Sequence, residues 1–328
     1  MTPLAVTLLV LSAALVIDRV AGDPPWLWTR VQHPIVLIGR SVDALDALLN
    51  DQRSPPSARR LRGVAMTALL VIAGGAVGWA FHAFLAAIPF GLAVEAVIVS
   101  ILLAQKSLID HVETVGRALV SGGLEGGRRA VARIVGRDVS ALDEAGVARA
   151  AMESGAENFS DGVIAPAFWY LLLGLPGIFV YKVVNTADSM VGHRSSRHEA
   201  FGWAAARFDD LLNFAPARLS AVLLAAAAAI SGCDGRRAAS AAWRDAPRHK
   251  SPNAGWPEAA LAGALGVAFG GPRRYGELKV DGAWLNPEGS ANAGPADILA
   301  AIRLIDVAWA LLLVLTALAA IILLATAR

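Results

Sequence analysis

The chain has 328 residues, 56% hydrophobic and only 17% charged, where an ordinary soluble domain carries about 25% charged residues. A net charge of +2 with no basic stripe excludes nucleic acid as a partner, and the single cysteine, Cys233, excludes intrachain disulfides and paired-cysteine metal knuckles. The apolar residues collect in runs, the pattern of an integral membrane protein. They predict an all-α polytopic membrane protein, a single membrane-integral domain over 1–328. Five or six embedded helices are expected, joined by helical cytoplasmic loops.

In chain order, the first run is Leu4 to Ile17. No Lys or Arg precedes it, and Asp18-Arg19 stands where a signal-peptide cleavage site would be, so it reads as a retained, short transmembrane helix. The second, Val64 to Phe84, and the third, Ile88 to Ala104, are separated by a few residues around Pro89 and predict a tight helical hairpin. The fourth, Val163 to Val184, carries Pro166, Gly174, Pro176 and Gly177. The fifth spans Leu211 to Ile230 and the last Ile305 to Ala327, each near the roughly 20 residues that cross about 30 Å of hydrocarbon. Residues 259–270 are apolar but too short to cross, and predict a surface-lying or re-entrant segment.

Arg19 to Arg62 holds seven arginines, and Lys106 to Arg149 holds seven basic residues, whereas the turn between the second and third runs has none. The positive-inside rule puts both long loops in the cytoplasm, and the turn and the amino terminus outside. That order would carry 185–210, with Arg194, Arg197 and Arg207, to the outer face. A fourth segment that lines a polar cavity without fully crossing would resolve the conflict, and both readings stay open.

Polar residues crowd against these runs. "RAAMESGAENFSDG" places Arg149, Glu153, Glu157 and Asp161 four apart, on one face if the stretch is helical, immediately before the fourth run. Asn185, Asp188, His193, Arg194, Arg197, His198, Asp209, Asp210 and Asn213 lie between the fourth and fifth. His249, Lys250, Ser251, Asn253 and Glu258 precede the short apolar stretch, and Asp18, Asp23, His33 and Arg40 lie near the amino terminus. Carboxylates suit Mg²⁺, and Arg and Lys suit phosphates, so the clusters fit a nucleotide-dependent reaction on an anionic substrate. Plainer readings stand beside this one. Arg194 and Arg197 snorkelling to headgroups gives the same pattern, as does Asp209-Asp210 at a helix N-terminus. His193 and His198 lack a zinc context. His82 reads as a hydrogen-bonded core histidine. Glu95, mid-run, is costly unless it is paired or faces a cavity, which makes it a functional candidate. "GGLEGG" at 122–127 lacks the lysine of a phosphate loop, and no Walker motif, dinucleotide fingerprint or nucleophile elbow is present.

The blocks "DRVAGDPPW", "HPIVLIGR", "ESGAENFSDGVIAPAFW", "YKVVNTADSMVGHR", "FGWAAARFDDLLNFAPARLSA" and "SPNAGWPEAALAGALG" occur in this order from about residue 15 to about 310. The set resembles the adenosylcobinamide-phosphate synthase family of cobalamin biosynthesis (CobD/CbiB). The resemblance implies a multi-pass protein of the bacterial cytoplasmic membrane with its active site on the cytoplasmic side. It implies an ATP- and Mg²⁺-dependent amide ligation. The substrates would be the corrinoid adenosylcobyric acid and (R)-1-amino-2-propanol or its O-phosphate. Glu153, Glu157, Asp188, Asp209 and Asp210 would be catalytic, with Glu153, Glu157 and Asp161 holding Mg²⁺. Asn158, Asn185, His193, Arg194, Arg197, Lys250, Asn253 and Glu258 would bind substrate or phosphate. The lipid bilayer and other cobalamin-pathway enzymes are the implied partners. The rival class is a membrane transporter or sensor of an anionic metabolite, since broken apolar segments with intramembrane polar groups also suit a carrier; no inverted repeat supports it.

Overall fold

Proline opens several of the helices, at the position where its missing N–H costs nothing. A computed structural model describes residues 2–136, 138–193, 195–275, 278–280 and 282–326. The helices are α1 (Pro3–Ala21), α2 (Pro25–Trp28), α3 (Pro34–Leu49), α4 (Pro56–Ala86), α5 (Gly91–Leu102), α6 (Gln105–Val131) and α7 (Glu144–Phe159). A π-helical turn, Ser160–Ile164, leads into α8 (Ala165–Val191), followed by α9 (Trp203–Leu212), α10 (Phe214–Ile230), α11 (Gly235–Asp245) and α12 (Gly255–Leu265). Four short strands, β1 (Phe269–Gly270), β2 (Arg273–Tyr275), β3 (Leu278–Val280) and β4 (Trp284–Leu285), precede α13 (Pro295–Thr326).

Among the described residues, five helical stretches are long and apolar enough to cross a membrane, or six if the bent pair α9 and α10 forms one span. The protein is therefore mostly helical, with the character of a polytopic membrane protein. The third apolar run contributes only the 12 residues of α5, about 18 Å of helix at 1.5 Å per residue; it reaches spanning length by continuing into α6. The fourth run is broken as its Gly and Pro residues suggested. Gly174 adopts φ 64°, Pro176 follows two residues later, and the π-turn precedes it.

The chain forms two compact units. The first contains α1–α5, α8, α9 and the end of α13. Its core gathers Val42 from α3, Met66 and Leu70 from α4, Val183 and Val191 from α8, and Phe201. Here α4 meets its neighbours through small residues. A Cβ at Gly78 would lie 2.6 Å from Pro176 Cα, one at Gly74 3.2 Å from Val183 Cγ2, and one at Gly63 would collide with the Phe201 carbonyl. Such small-residue tracks let membrane helices approach at backbone distance, where dispersion replaces the hydrophobic effect that lipid does not supply.

The second unit contains α6, α7, α10, α11, α12, the strands and most of α13. Its centre is α12, and here the surface-lying reading of 259–270 is corrected, while a buried re-entrant segment remains compatible. Every residue from Pro257 to Ala264 is buried within this unit, because a helix apolar on all sides has no face to present to water. Gly266 ends α12 at φ 68° and turns the chain into β1, which pairs with β4 as Phe269 opposite Leu285 and Gly270 opposite Trp284.

Gly78→Leu forces the α4–α8 approach apart. A loss of about 1–3 kcal/mol is expected, read as a lower unfolding temperature in detergent, as for overpacked sites generally. Gly122→Ala, on α6 with nothing within 4 Å of the added Cβ, is the matched control and is tolerated or slightly stabilising. Equal melting of Gly78→Leu and the wild type would overturn the assignment of that track.

Candidate functional site

In the second unit, α7 starts on Asp143, whose side chain accepts the Gly146 N–H at 2.7 Å. Its four-residue row of charges does not act as a row. Arg149 donates to the Ala291 carbonyl and lies over the Trp284 ring. Glu153 is buried and accepts the Gly270 N–H at 2.7 Å. Those two side chains hold the base of the β1–β4 ladder to α7. One turn on, Glu157 is exposed, and Asp161 is half-buried in the π-turn. Asn158 donates to Ser154 O and Oγ at 2.9 and 3.1 Å. Among the described residues no group of three His, Cys, Asp or Glu side chains is arranged to hold a metal ion. Glu153, Glu157 and Asp161 do not fit Mg²⁺ as a preassembled set, because Glu153 is committed to a backbone N–H and Glu157 faces outward.

The "HKSPNAGWPE" block builds the entry to α12 in the same unit. Ser251 Oγ accepts the Asn253 and Ala254 N–H groups at 3.2 and 3.1 Å, and His249 Nδ1 accepts that of Ser251 at 3.1 Å. This turn sets His249 Nε2 3.8 Å from Oε2 of the buried Glu258. Lys250 is exposed, whereas Asn253 is buried and accepts from Arg218 at 3.1 Å. Arg218 was missed by the sequence reading. Its guanidinium sits 3.7 Å from the Phe214 ring centre and 4.6 Å from that of Trp256, and no local motif announces it. Asp245 was missed as well. It is fully buried, paired with Arg244 at 2.8 Å and with Arg248, and it accepts the Asn286 N–H at 2.9 Å. Asn286, at φ 51°, donates on to the Ala262 and Val267 carbonyls and so staples the chain after β4 to α12.

In the first unit, α8 and α9 bring one predicted cluster together. Asp209 is buried and accepts from Asn185 at 3.3 Å and Asn213 at 2.9 Å, while Asn213 Oδ1 accepts the Tyr181 hydroxyl at 3.0 Å. Asp188, one turn beyond Asn185, lies within charge–charge range of Asp209. The backbone at Gly192 passes so close that a Cβ there would strike the Asp188 carboxylate. Asp210 points elsewhere and pairs with Arg207 at 3.0 Å on the surface, since neighbours on a helix are about 100° apart.

The loop between α8 and α9 carries the expected phosphate ligands. His193 is exposed, and Arg194 lies outside the described residues. Arg197 is engaged from both ends. Its guanidinium donates to Asp46 on α3, and its carbonyl accepts from Arg59, from Asn50 at 3.1 Å and from Gln52 at 3.4 Å. His198 Nε2 stands 3.6 Å from Asp46 Oδ1. Burial pushes the Asp46 carboxyl up. The hydrogen bonds from Arg197 and Asn50 and the charges of Arg197 and His198 outweigh that and hold it below the usual aspartate range. His82, read as a core histidine, is instead exposed.

Asp245 gives a pH test of the second unit. Burial raises its pKa, but the Arg244 and Asn286 hydrogen bonds and the charges of Arg244 and Arg248 win and hold it below the ordinary value of about 3.9. A depressed folded-state pKa contributes stability that is present above the unfolded value and lost as pH falls through the folded one. Unfolding temperatures in detergent from about pH 7 down to about 3 should therefore fall more steeply for wild type than for Asp245→Asn, which should be less stable by about 1–3 kcal/mol at neutral pH. Parallel curves would refute this role.

A family model described as CobD/Cbib protein matches residues 11–305. The chain is 53% identical over 298 residues to a cobalamin biosynthesis protein CobD of Sinorhizobium sp, covering 90% of this chain and 92% of that one. It is 52% identical over 302 residues to the protein of that name from Brucella suis biovar 1 (strain 1330), covering 91% and 92%. With the Rhodobacter capsulatus protein of that name it is 46% identical over 286 residues, covering 87% and 88%. No solved structure matches the chain. With a family match over most of its length and relatives near half-identical across nine-tenths of it, the chain belongs to the CobD/Cbib protein family.

Proposed function

We propose that this protein acts in cobalamin biosynthesis as an ATP-dependent ligase, joining the free side-chain carboxyl of adenosylcobyric acid to (R)-1-amino-2-propanol or its O-phosphate. Family membership over residues 11–305 carries the reading. A carboxylate is a poor electrophile. ATP would transfer its γ-phosphoryl group to it, releasing ADP and forming an acyl phosphate; the amine then attacks that carbonyl, the C–N bond forms and phosphate leaves. The attacking nitrogen must shed a proton, and a positioned carboxylate is the natural acceptor. Asp188 and Asp209, flanked by Asn185 and Asn213, are the groups to which we assign that task. His193, Arg194, Arg197, Asn158, Lys250, Asn253 and Glu258 would bind substrate or phosphate, with Asp210, Glu153 and Glu157 in support. Mg²⁺ would come with the nucleotide, needing only one or two carboxylates besides phosphate oxygens.

The reading also places the protein in the bacterial cytoplasmic membrane, with the reaction on the cytoplasmic side, where ATP and the other pathway enzymes are. It treats residues 1–328 as one functional domain. The interleaved connectivity supports this, because neither unit is a continuous stretch of chain that could be cut away.

Protein purified in detergent and given ATP, Mg²⁺, adenosylcobyric acid and aminopropanol should release ADP in step with amide product measured by mass spectrometry. Asp188→Asn and Asp209→Asn should lower kcat by a factor on the order of 10²–10⁴ with little change in KM for the amine, the range usual for general bases. Nucleotide turnover that ignores the corrinoid, or uptake into vesicles without turnover, would replace the ligase by a carrier.

Arg197 offers a separate test. Lysine keeps the charge but loses the planar fork that meets the Asp46 carboxylate. Arg197→Lys should raise KM for aminopropanol phosphate more than for aminopropanol, and Arg197→Ala should raise it further. An equal effect on both amines would leave Arg197 as a loop anchor alone.

A further inference from the structure

The α4–α5 turn of the first unit borders a half-open pocket of about 370 Å³ that the ligation reading does not use. His82, Leu85, Ile88, Phe90, Leu92 and Glu95 line it. Glu95 is 7% exposed, and its Oε1 accepts the Tyr170 hydroxyl of α8 at 2.7 Å. A carboxylate offers about four lone-pair sites, and the tyrosine fills one. Among the described residues no Lys, Arg or His is ion-paired with Glu95. An acidic side chain buried among apolar helices thus has one neutral hydrogen-bond partner and an otherwise open side on the cavity. Ionisable groups at such depth are expensive, and they are paired or serve a binding function.

The turn itself is under strain on the cavity side. Phe90 adopts φ 61°, a conformation that a bulky side chain seldom takes. A Cβ at Gly91 would strike the Leu85 carbonyl, so the chain doubles back on α4 at backbone contact. Strain of this kind, about 1–3 kcal/mol, is retained where the surrounding structure over-determines it, and it gathers at binding sites.

We propose that this cavity binds a small organic ammonium ion, with its N–H groups on the Glu95 carboxylate and its carbon skeleton against Leu85, Ile88 and Leu92. A bare metal ion is a poor fit. Ca²⁺ takes about 6–8 oxygen ligands and Mg²⁺ an octahedron, whereas the cavity supplies one carboxylate and aliphatic walls. An alkylammonium needs one charged acceptor and an apolar surface, and both are present. A free short-chain amine and the ethanolamine headgroup of a lipid share this chemistry. The inference does not rest on the ligation reading.

Dicyclohexylcarbodiimide, which attacks carboxyl groups in apolar membrane sites, should modify Glu95 of the intact detergent-solubilised protein, as read by peptide mass spectrometry. Propylamine at about ten times its Kd should slow that modification about tenfold by occupancy, and 1-propanol should not. Propylamine should also raise the unfolding temperature of wild type and leave that of Glu95→Gln unchanged. Protection that persists in Asp188→Asn separates this cavity from the proposed reaction site. In vesicles without added amine, protection by phosphatidylethanolamine but not phosphatidylglycerol assigns the ligand to the headgroup. Protection only on adding propylamine assigns it to the free amine. Equal labelling with and without propylamine, or equal protection by 1-propanol, overturns the proposal, and both readings on wild type hold even if Glu95→Gln fails to fold.

Discussion

A carboxylate surrounded by apolar helices has to find its donors inside the protein, and that requirement organises this molecule. Leaving such a group unanswered costs several kcal/mol, more than most single contacts supply. Five of the buried acids each stand beside a donor or cation. Asp46 takes Arg197 and Asn50; Asp209 takes Asn185 and Asn213; Asp245 takes Arg244 and the Asn286 N–H; Glu153 takes the Gly270 N–H; Glu258 faces His249. These polar ties lock particular loops to particular helices, a specificity that generic apolar packing between helices does not provide.

The same requirement sorts the charged residues into those that hold the fold and those left for chemistry. Arg149 and Glu153 clamp a strand ladder to α7, and Asp245 with Asn286 fixes the return from that ladder to α12. Arg197 secures the loop after α8 from its side chain and its carbonyl together. Asp209 differs, because the donors on its carboxylate, Asn185 and Asn213, are neutral amides and Asp188 lies within its field. A carboxylate held by neutral donors beside a second acid is the pairing on which the proposed proton transfer rests.

Close helix approach is the second device. Gly63, Gly74 and Gly78 bring α4 to the chain at Phe201 and to α8, and Gly192 lets the backbone cross directly over Asp188. A methyl group at Gly63, Gly78 or Gly192 would push a polar cluster or a helix pair apart.

The long apolar helices and their breaks were legible in the amino-acid order, because hydropathy over about 20 residues and the presence of Gly or Pro are local properties. The acidic and basic blocks were legible as blocks for the same reason. Their roles were not. Four-residue spacing put Arg149, Glu153, Glu157 and Asp161 on one face, yet Glu153 is claimed by a backbone N–H 117 residues away, and Arg197 by an aspartate 151 residues away. The stretch at 259–270 read as surface-lying or re-entrant because its length and composition fit several environments; burial within the second unit excluded the surface-lying one. Arg218 and Asp245 carried no spacing signal of their own, and Glu95 was marked only as an acid inside an apolar run. Hydropathy and helix periodicity act over tens of residues and can be read from the chain, whereas the partner of a buried charge is chosen by whichever distant segment the fold delivers beside it.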